Sequence, residues 1–330
     1  MMNNKILEDF ISIVGVKNII TSSKDLEKYN RDWRGFYNNK SLGILFPNNL
    51  EILKKITKYC FEKNIKIVPQ GGNTSLTGAS VPTYNNQEII INFSKMNKIL
   101  EIDKSNLTVL VESGLILSDL KQYLDKENLY FPIDLSSSGS CMIGGNIATN
   151  AGGINALKYG SMKDNVIGIE IVTGDGKILS SLSKMKKNNK GYDLKSIICN
   201  SEGTLGLISK ALLKIYPKPI DNFTFFASYD DLESCIKSFN EIRNLYFDKL
   251  ESAELIPNLS FEVCIKNNFL KEHFFNNKMP FYVIYRLNLY ENKDTFQNNF
   301  EKNFHLISNN IVDIIIPNSI EKENKIWQFR

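Results

Sequence analysis

The chain contains 330 residues, of which 42% are hydrophobic and 23% charged, a composition typical of a globular protein with about two domains. Its 40 basic and 36 acidic residues give a net charge of +4, and its lysines are scattered without forming a stripe, which argues against nucleic acid as a partner. The apolar runs are only long enough for strands, which argues against a membrane span. The five cysteines are widely spaced, which argues against a disulfide framework. With no signal peptide predicted, we expect a cytoplasmic location, free or peripheral at a membrane.

The first third of the chain predicts alternating helices and strands, after an N-terminal helical segment in residues 1–40. Apolar residues recur at helical spacing after Asn48 and Asn49, which favour the start of a helix, and residues 65–68 alternate as a strand does. This strand leads into a glycine-rich loop. Further elements then follow: strands near residues 88–92, 99–102 and 107–111, and a helix that begins at Ser118.

The middle of the chain is poor in core-forming residues. Residues 132–160 consist largely of Gly, Ser, Asn and Ala, and we expect a long functional loop there. A hairpin follows, with its turn at Gly174-Asp175-Gly176. The next strand-like stretch ends at Pro217 and Pro219, which we interpret as a domain boundary that closes a domain of residues 41–217.

Beyond the prolines, residues 218–330 change to the order strand, helix, strand, strand, helix, strand, with an extra helical piece before the third strand. This order predicts a ferredoxin-like layer of sheet and helices. A further helix begins near Glu321 and reaches the last residue, so we expect this second domain to be incomplete. The predicted fold class is therefore α+β.

Two glycine-rich loops are candidates for binding a ligand. Residues 69–78 offer consecutive backbone N–H groups with few obstructing side chains, an arrangement that holds phosphate oxygens, although a double glycine after a strand is more often only a tight turn. The loop matches neither a Walker A sequence nor a Rossmann fingerprint. Residues 138–153 form the second loop, and interleaved Ile143 and Ile147 indicate that it is buried. Two such loops can grip a long, flat, charged ligand from both sides.

Several motifs occur in order around these loops, and together they resemble a known family. The motifs are Tyr29-Asn30-Arg31-Asp32-Trp33, Pro132-Ile133-Asp134-Leu135, Ala156-Leu157-Lys158-Tyr159-Gly160, Lys190-Gly191-Tyr192-Asp193-Leu194 and Ser201-Glu202-Gly203-Thr204-Leu205-Gly206. They resemble the FAD-linked oxidases of vanillyl-alcohol-oxidase or p-cresol-methylhydroxylase (PCMH) type, specifically the branch of D-2-hydroxyglutarate, D-lactate and glycolate dehydrogenases. The resemblance extends over residues 29–217 and is weaker thereafter.

The resemblance implies a PCMH-type FAD-binding domain of two subdomains in residues 41–217 and a substrate-binding cap in residues 218–330. It implies FAD bound without a covalent bond, because no histidine precedes His273 and we interpret Cys141 as a packing residue. The residues that it assigns to the cofactor are Pro69, Gly71, Gly72, Asn73, Thr74, Ser75, Gly78, Pro132, Ser140, Gly144, Gly145, Asn146, Thr149, Gly152, Gly153, Glu202, Gly203 and Ile208.

The family's catalytic histidine has no counterpart in this sequence. In the family, histidines around a Gly-Asp-Gly-Asn segment bind zinc or manganese, and a histidine near the metal removes the substrate's hydroxyl proton. Here His273 and His305 lie in other contexts and are interpreted as packed or solvated, so we expect this chain not to bind the metal. Residues 326–330 resemble the family helix whose arginine pairs with the substrate carboxylate. Arg330 is therefore a candidate for that role, with an exposed helix-end arginine as an equal alternative.

The activity implied by the resemblance is oxidation of a small D-2-hydroxy acid to the 2-oxo acid, with hydride passing to flavin N5. Its partners would be the acid substrate and an electron carrier protein or quinone, within a homodimer or a larger complex. Three alternatives stay open: a non-catalytic FAD-binding subunit of a glycolate-oxidase-like complex, an inactive C-terminally truncated fragment, and a flavin fold that performs alkyl transfer without redox chemistry.

Overall fold

A computed structural model describes residues 2–185, 191–270 and 273–329. Two residues singled out by the sequence, Lys190 and Arg330, lie outside the described residues. Contacts divide the chain into unit 1, which comprises Met1–Gly153 and Ser161–Pro217, and unit 2, which comprises Ile154–Gly160 and Lys218–Arg330. The short segment Ile154–Gly160 therefore packs with unit 2, although the residues on both sides of it pack in unit 1.

Unit 1 contains two larger sheets covered by helices and a small sheet of two antiparallel strands, Leu129–Tyr130 and Tyr216–Pro217. The helices up to Pro217 are α1 (Met2–Val14), α2 (Ser23–Asn30), α3 (Leu50–Glu62), α4 (Leu117–Lys126), α5 (Ile143–Ala148), α6 (Ala156–Tyr159, in unit 2), α7 (Met162–Asn165) and α8 (Leu194–Ile198). The strands are β1 (Ile19–Ile20), β2 (Gly43–Leu45), β3 (Lys66–Gln70), β4 (Glu88–Asn92), β5 (Ile99–Asp103), β6 (Thr108–Glu112), β7 (Leu129–Tyr130), β8 (Val166–Val172), β9 (Ile178–Ser180), β10 (Leu207–Lys214) and β11 (Tyr216–Pro217).

The first sheet has the strand order β1-β2-β4-β3, in which β2, β4 and β3 are parallel. Its central strand β4 is buried along its whole length, as its unbroken run of isoleucines requires of a parallel strand covered on both faces. Ile89 and Ile91 pack with α1 and α3, whereas Ile90 packs towards Leu26 of α2. Helix α3 begins as predicted, because the Asn49 side chain accepts the Ile52 N–H at 2.9 Å.

The second sheet is antiparallel, with the order β5-β6-β10-β8-β9, and it packs against α4 and α5. The predicted helix is present as α4 and begins one residue earlier, at Leu117, while Ser118 provides no cap. Tertiary hydrogen bonds set this start instead. The N–H groups of Leu117 and Ser118 donate to the carbonyls of Cys141 and Ser138, at 3.0 and 2.9 Å.

The stretch predicted as one long loop, residues 132–160, contains helices α5 and α6. Helix α5 forms although two of its six residues are glycine, the poorest helix former after proline. Ile143 and Ile147 lie four positions apart on one face of the helix and are fully buried in the core of the second sheet. Burial of this face therefore overrides the weak local propensity.

Unit 2 is built on one antiparallel sheet. Besides α6, its elements are β12 (Asp221–Tyr229), α9 (Leu232–Leu245), β13 (Leu250–Pro257), α10 (Asn258–Lys266), β14 (Phe281–Leu289), α11 (Lys293–Asn303), β15 (Asp313–Ile315) and α12 (Ile320–Phe329). The strand order is β13-β14-β12-β15, or 2-3-1-4 in sequence order, which is typical of a ferredoxin-like arrangement. One face of the sheet packs on α9 and α11 through an aromatic core that includes Phe223, Phe225 and Phe300.

The opposite face of this sheet carries α12 and a polar network. Ile326 of α12 is buried, and Trp327 donates its indole N–H to Thr224 at 3.2 Å. The Trp327 ring also lies 3.9 Å from the guanidinium of Arg286. From α6, Tyr159 accepts a hydrogen bond from Asn288 at 3.0 Å. Helix α12 and the inserted segment are thus both anchored to the sheet by specific side-chain contacts.

The five cysteines are free, as reduced thiols were predicted to be. Burial raises the pKa of the Cys60 thiol to about 12 and that of Cys235 to about 11, so neither is a reactive thiolate near neutral pH. Within the part of the chain that the structure describes, no helix is both long and apolar enough to cross a membrane.

His273 should make unit 2 less stable as the pH falls below about 6.5, the ordinary pKa of histidine. Its ring lies 4.1 Å from the Phe261 ring, and its Nδ1 accepts the Phe275 N–H at 3.1 Å. Burial, and secondarily the charge of Lys278, lower the pKa of His273. As the pH falls, the unfolded chain therefore binds a proton at His273 before the folded chain does. The free energy of unfolding is thus highest above about pH 6.5 and decreases below it.

Urea unfolding of unit 2 in the full chain, followed at pH 7.5 and pH 5.5, measures this effect. His273→Phe should reduce the difference between the two pH values, because it keeps an aromatic ring in the cluster without the titrating group. His305→Gln is the matched control, since His305 is the only other histidine and is exposed. If His305→Gln reduces the difference in unfolding free energy between the two pH values and His273→Phe does not, the assignment to His273 is contradicted.

Candidate functional site

A cavity of about 280 Å³ lies within unit 1, and three segments of the chain provide most of its lining. The first is the loop that follows the carboxyl end of β3, residues 69–75. The second is the stretch 141–151, which includes α5, and the third is the turn 202–208 that leads into β10. Ligands of sheets with parallel strands bind beyond the carboxyl ends of those strands, and the loop after β3 has this position.

The loop after β3 presents its backbone to the cavity. Within the described residues, the N–H groups of residues 72–75 donate to no protein acceptor. Asn73 has a φ of +53°, and its side chain holds the loop in place by donating to the Arg31 carbonyl at 2.8 Å and accepting from the Ser80 hydroxyl at 2.7 Å. Successive free N–H groups in a turn of this kind make an anion-binding concavity.

Glycine is required where the loop after β3 meets the second segment. A Cβ added at Gly72 would overlap the carbonyl oxygen of Ser140. A Cβ added at Gly203 would lie 2.5 Å from Cγ of Pro69, and Gly203 has a φ of +78°. The loop after β3 therefore touches the Ser140 backbone at Gly72, and Gly203 touches its Pro69 ring, so side chains at these two glycines would force the segments apart.

Gly145 differs from these glycines because it faces open space. An added Cβ meets no atom within 4 Å, and Gly145 lies on the cavity side of α5 while Ile143 and Ile147 anchor the other side in the core. Packing of the protein therefore does not require glycine at this position. The glycine keeps volume free for a ligand.

The third segment, residues 202–208, is joined to α5 by backbone hydrogen bonds at its start. The Asn200 N–H donates to the Ile147 carbonyl at 3.2 Å, and the Glu202 N–H donates to the Ala148 carbonyl at 2.8 Å. Both donors have positive φ values, 69° for Asn200 and 51° for Glu202, in a left-handed conformation that is rare for non-glycine residues. This strained turn directs residues 202–208 along the cavity.

The polarity of the lining indicates what the cavity can hold. Among its described lining residues there is no lysine or arginine, and Glu202 is the only residue with a formal charge at neutral pH. Ser113 is 2% exposed, and its hydroxyl has no partner within the described residues although the residue lines the cavity. A buried hydroxyl without a partner is costly unless a ligand satisfies it.

Most of the residues that the sequence assigned to the cofactor line this cavity. They are Pro69, Gly71, Gly72, Asn73, Thr74, Ser75, Gly144, Gly145, Asn146, Thr149, Glu202, Gly203 and Ile208. The others do not line it: Ser140 lies against Gly72, Gly153 against the Asp134 carbonyl and Gly78 against the Tyr37 ring, while Gly152 is half-buried and Pro132 is buried.

Sequence reasoning missed part of the lining. The residues that it did not assign are Ala79, Ser80, Phe93, Ser113, Leu135, Ser137, Cys141, Met142, Ala148, Ala151, Gly206 and Leu207. Those next to a glycine-rich motif were within reach of a local signal. Phe93 and Ser113 follow β4 and β6 and carry no such signal, because only the packing of the two sheets brings strand ends to the cavity.

Neither histidine is among the lining residues of this cavity, and both belong to unit 2. Among the residues that the structure describes, no three His, Cys, Asp or Glu side chains cluster so that they could hold a metal ion. Arg330, the proposed substrate arginine, lies outside the described residues.

Comparison with known proteins identifies the class. Residues 41–181 match the FAD binding domain family. The chain is 38% identical over 267 residues to the mitochondrial D-2-hydroxyglutarate dehydrogenase of Arabidopsis thaliana, covering 81% of this chain and 47% of the relative. It is 35% identical over 288 residues to the D-2-hydroxyglutarate–pyruvate transhydrogenase of Saccharomyces cerevisiae, covering 86% of this chain and 57% of the relative. It thus spans about half the length of the curated relatives it matches.

A solved structure supports the same fold. The structure of p-cresol methylhydroxylase with substrate bound superposes with a TM-score of 0.75 at 17% identity, covering 98% of this chain and 68% of the other. Fold and cavity therefore define an FAD-binding protein of PCMH type, and the α+β fold class is confirmed. Residues 41–181 thus form an FAD-binding domain, and the chain is related to proteins named D-2-hydroxyglutarate dehydrogenase.

FAD fits the cavity on structural grounds. The free N–H groups of residues 72–75 suit a pyrophosphate, the open space at Gly145 suits a flat ligand, and the Ser113 hydroxyl lacks a partner that a ligand could provide. Because the described lining residues include no cationic side chain, the negative charge would be held mainly by N–H dipoles.

Affinity for FAD should accordingly depend little on salt. Raising NaCl from about 50 mM to about 500 mM should change the FAD dissociation constant by less than about threefold, because screening acts mainly on pairs of full charges. Thr74→Lys, which adds a cation to the loop, should show a steeper dependence and serves as the comparison. Fluorescence titration of the apoprotein measures both. A strong salt dependence of the unmodified chain would show that lysines or arginines hold the pyrophosphate.

Proposed function

We propose that this chain forms the FAD-binding part and part of the substrate-binding cap of a dehydrogenase that oxidises a small D-2-hydroxy acid to the 2-oxo acid. The observation that carries the proposal is the cavity of unit 1, in which two glycine-rich loops and the turn 202–208 meet around free backbone donors. Relatives named D-2-hydroxyglutarate dehydrogenase support the class of substrate. When bound, FAD supplies an acceptor for the hydride that leaves C2 of the hydroxy acid.

The residues of unit 1 would bind and orient the cofactor. Residues 72–75 would donate their N–H groups to the pyrophosphate oxygens, and the surfaces of Gly145 and Thr149 would lie along the ligand. Closing of the three segments through Gly72 and Gly203 would exclude water from it. Binding would be non-covalent, because Cys141, the one thiol among the described lining residues, is 2% exposed and accepts a hydrogen bond from Asn146 at 3.4 Å.

The cap would contribute to the substrate carboxylate site through α12. The described part of this helix is held on the sheet by Trp327, which donates to Thr224, and by Thr224, which donates to Glu323 at 2.6 Å. Arg330 follows directly in the sequence and is our candidate for the carboxylate, a task that suits a guanidinium. An electron carrier protein or quinone as acceptor, and a homodimer or larger complex as the assembly, complete the proposal.

Release of the flavin on denaturation tests the cofactor assignment. The chain, purified with FAD, should give a yellow supernatant after acid precipitation, with one FAD per chain and a colourless pellet. Flavin that stays with the precipitate would show a covalent bond, and a chain that takes up no FAD would refute the proposed function at its first step.

A further inference from the structure

A short turn in unit 1, residues 31–38, projects two aromatic side chains into solvent. Trp33 is 72% exposed and Phe36 is 76% exposed. We call residues 31–38 the Trp-Phe turn. Isolated exposed apolar residues are common, but two large aromatic side chains at this level of exposure in four residues indicate a contact surface.

The turn is rigid, because one buried carboxylate organises it. Asp32 is 3% exposed and accepts the N–H groups of Arg34 at 3.2 Å and Tyr37 at 2.7 Å. Its own N–H donates to the Tyr37 carbonyl at 3.2 Å, and its carbonyl accepts the Gly35 N–H at 3.0 Å. The base of the turn is closed by an antiparallel bridge between Arg31 and Asn38. These bonds hold the backbone of the turn in one conformation, from which Trp33 and Phe36 project outward.

The same turn is bonded to the loop that lines the cavity. Asn73 donates to the Arg31 carbonyl at 2.8 Å, and Gln70 donates to the Tyr29 carbonyl at 2.9 Å. The ring of Tyr37 lies so close to Gly78 that no Cβ could be placed there. A surface bound to the Trp-Phe turn would consequently lie beside the loop of residues 69–78.

Unpaired positive charges surround the aromatic tip. Residues 31–40 contain Arg31, Arg34 and Lys40, all exposed, and a single carboxylate, the buried Asp32. Within the described residues, none of the three cations takes part in an ion pair. A tip of tryptophan and phenylalanine with a cationic rim is complementary to the interface of an anionic membrane, where amphipathic rings lie at the level of the headgroups.

We propose that the Trp-Phe turn docks the protein on an anionic lipid surface, with Trp33 and Phe36 entering the interface and Arg34 and Lys40 facing lipid phosphates or carboxylates. The two aromatic side chains together with the cationic rim favour an anionic lipid surface over a protein partner. The proposal is independent of the substrate and of the activity. It places the cavity-lining loop next to the membrane.

Sedimentation with vesicles tests the proposal. The full chain should bind vesicles of phosphatidylcholine with about 30% phosphatidylserine and bind pure phosphatidylcholine at least about fivefold more weakly, since each basic residue at an anionic surface contributes about that factor. Trp33→Ser combined with Phe36→Ser should lower binding by about tenfold or more. Arg34→Gln alone should lower it by about fivefold at low salt.

The matched control is Phe247→Ser combined with Phe269→Ser, which removes two phenylalanines of similar exposure, 79% and 80%, from unit 2. It should bind as the unmodified chain does. Tryptophan emission gives a second readout, because the chain has two tryptophans: the blue shift on adding vesicles should disappear in Trp33→Phe. Equal binding of all variants, absence of binding, or self-association that only the Trp33 and Phe36 changes abolish would each overturn the proposal.

Discussion

Replacing Gly145 by leucine should lower the affinity for FAD by about 100-fold, because four heavy atoms would occupy space that the ligand needs and overpacking of this size costs up to about 3 kcal/mol. The protein itself should tolerate the change. An added Cβ meets no atom within 4 Å, and the residue lies inside α5, where leucine is a better helix former than glycine by roughly 1 kcal/mol. We therefore expect loss of FAD with an unchanged or higher free energy of unfolding.

Two further variants separate a cavity effect from a folding effect. Gly174→Leu lies in the turn between β8 and β9, where an added Cβ also meets nothing within 4 Å, and it should leave FAD binding intact. Gly72→Ala should instead reduce both stability and FAD binding, because its Cβ overlaps the Ser140 carbonyl. Calorimetry and FAD titration on each apoprotein measure the two quantities. If Gly145→Leu binds FAD normally, the ligand does not pass along α5.

The chain of 330 residues, loaded with FAD, should oxidise D-2-hydroxyglutarate, D-lactate and glycolate about 10²- to 10⁴-fold more slowly than a version extended with the C-terminal segment of the Arabidopsis relative, the range that positioned acid–base catalysis contributes. The chain has two histidines, and neither is placed as a base. His273 has its Nδ1 engaged with Phe275 and its ring packed on Phe261, whereas His305 is exposed and bonded to the Lys302 carbonyl at 3.0 Å.

Anaerobic mixing with each acid, followed by bleaching of the visible flavin band, gives the rates. Reduction by dithionite should be rapid in both proteins, which shows that the flavin itself is competent. An extended version whose added histidines are replaced by glutamine is the matched control and should stay slow. Fast bleaching of the unextended chain would place a base among its own residues. If extension fails to restore the rate, a non-catalytic FAD-binding subunit becomes the better interpretation.

Local patterns in the sequence predicted many of the elements of unit 1. Helical spacing after Asn49 and the Gly174-Asp175-Gly176 turn predicted α3 and the β8–β9 hairpin, because a cap, an amphipathic face and a turn are each decided within a few residues. The glycine-rich motifs likewise identified segments that line one cavity. Their spacing alone did not reveal why each glycine is needed, since Gly72 faces a carbonyl 68 positions away and Gly145 faces empty volume.

The sequence by itself determined the α+β class, the family and the two loops at the cavity. Only the tertiary structure decided that α5 forms across two glycines, that Ser113 brings an unpaired hydroxyl to the cavity, and that Ile154–Gly160 packs with the second unit. The physical reason is that these features depend on contacts between residues that are far apart in the sequence. Burial of Ile147 in a distant sheet outweighs the cost of glycine in a short helix, and the bond between Tyr159 and Asn288 joins residues 129 positions apart, which no local pattern records.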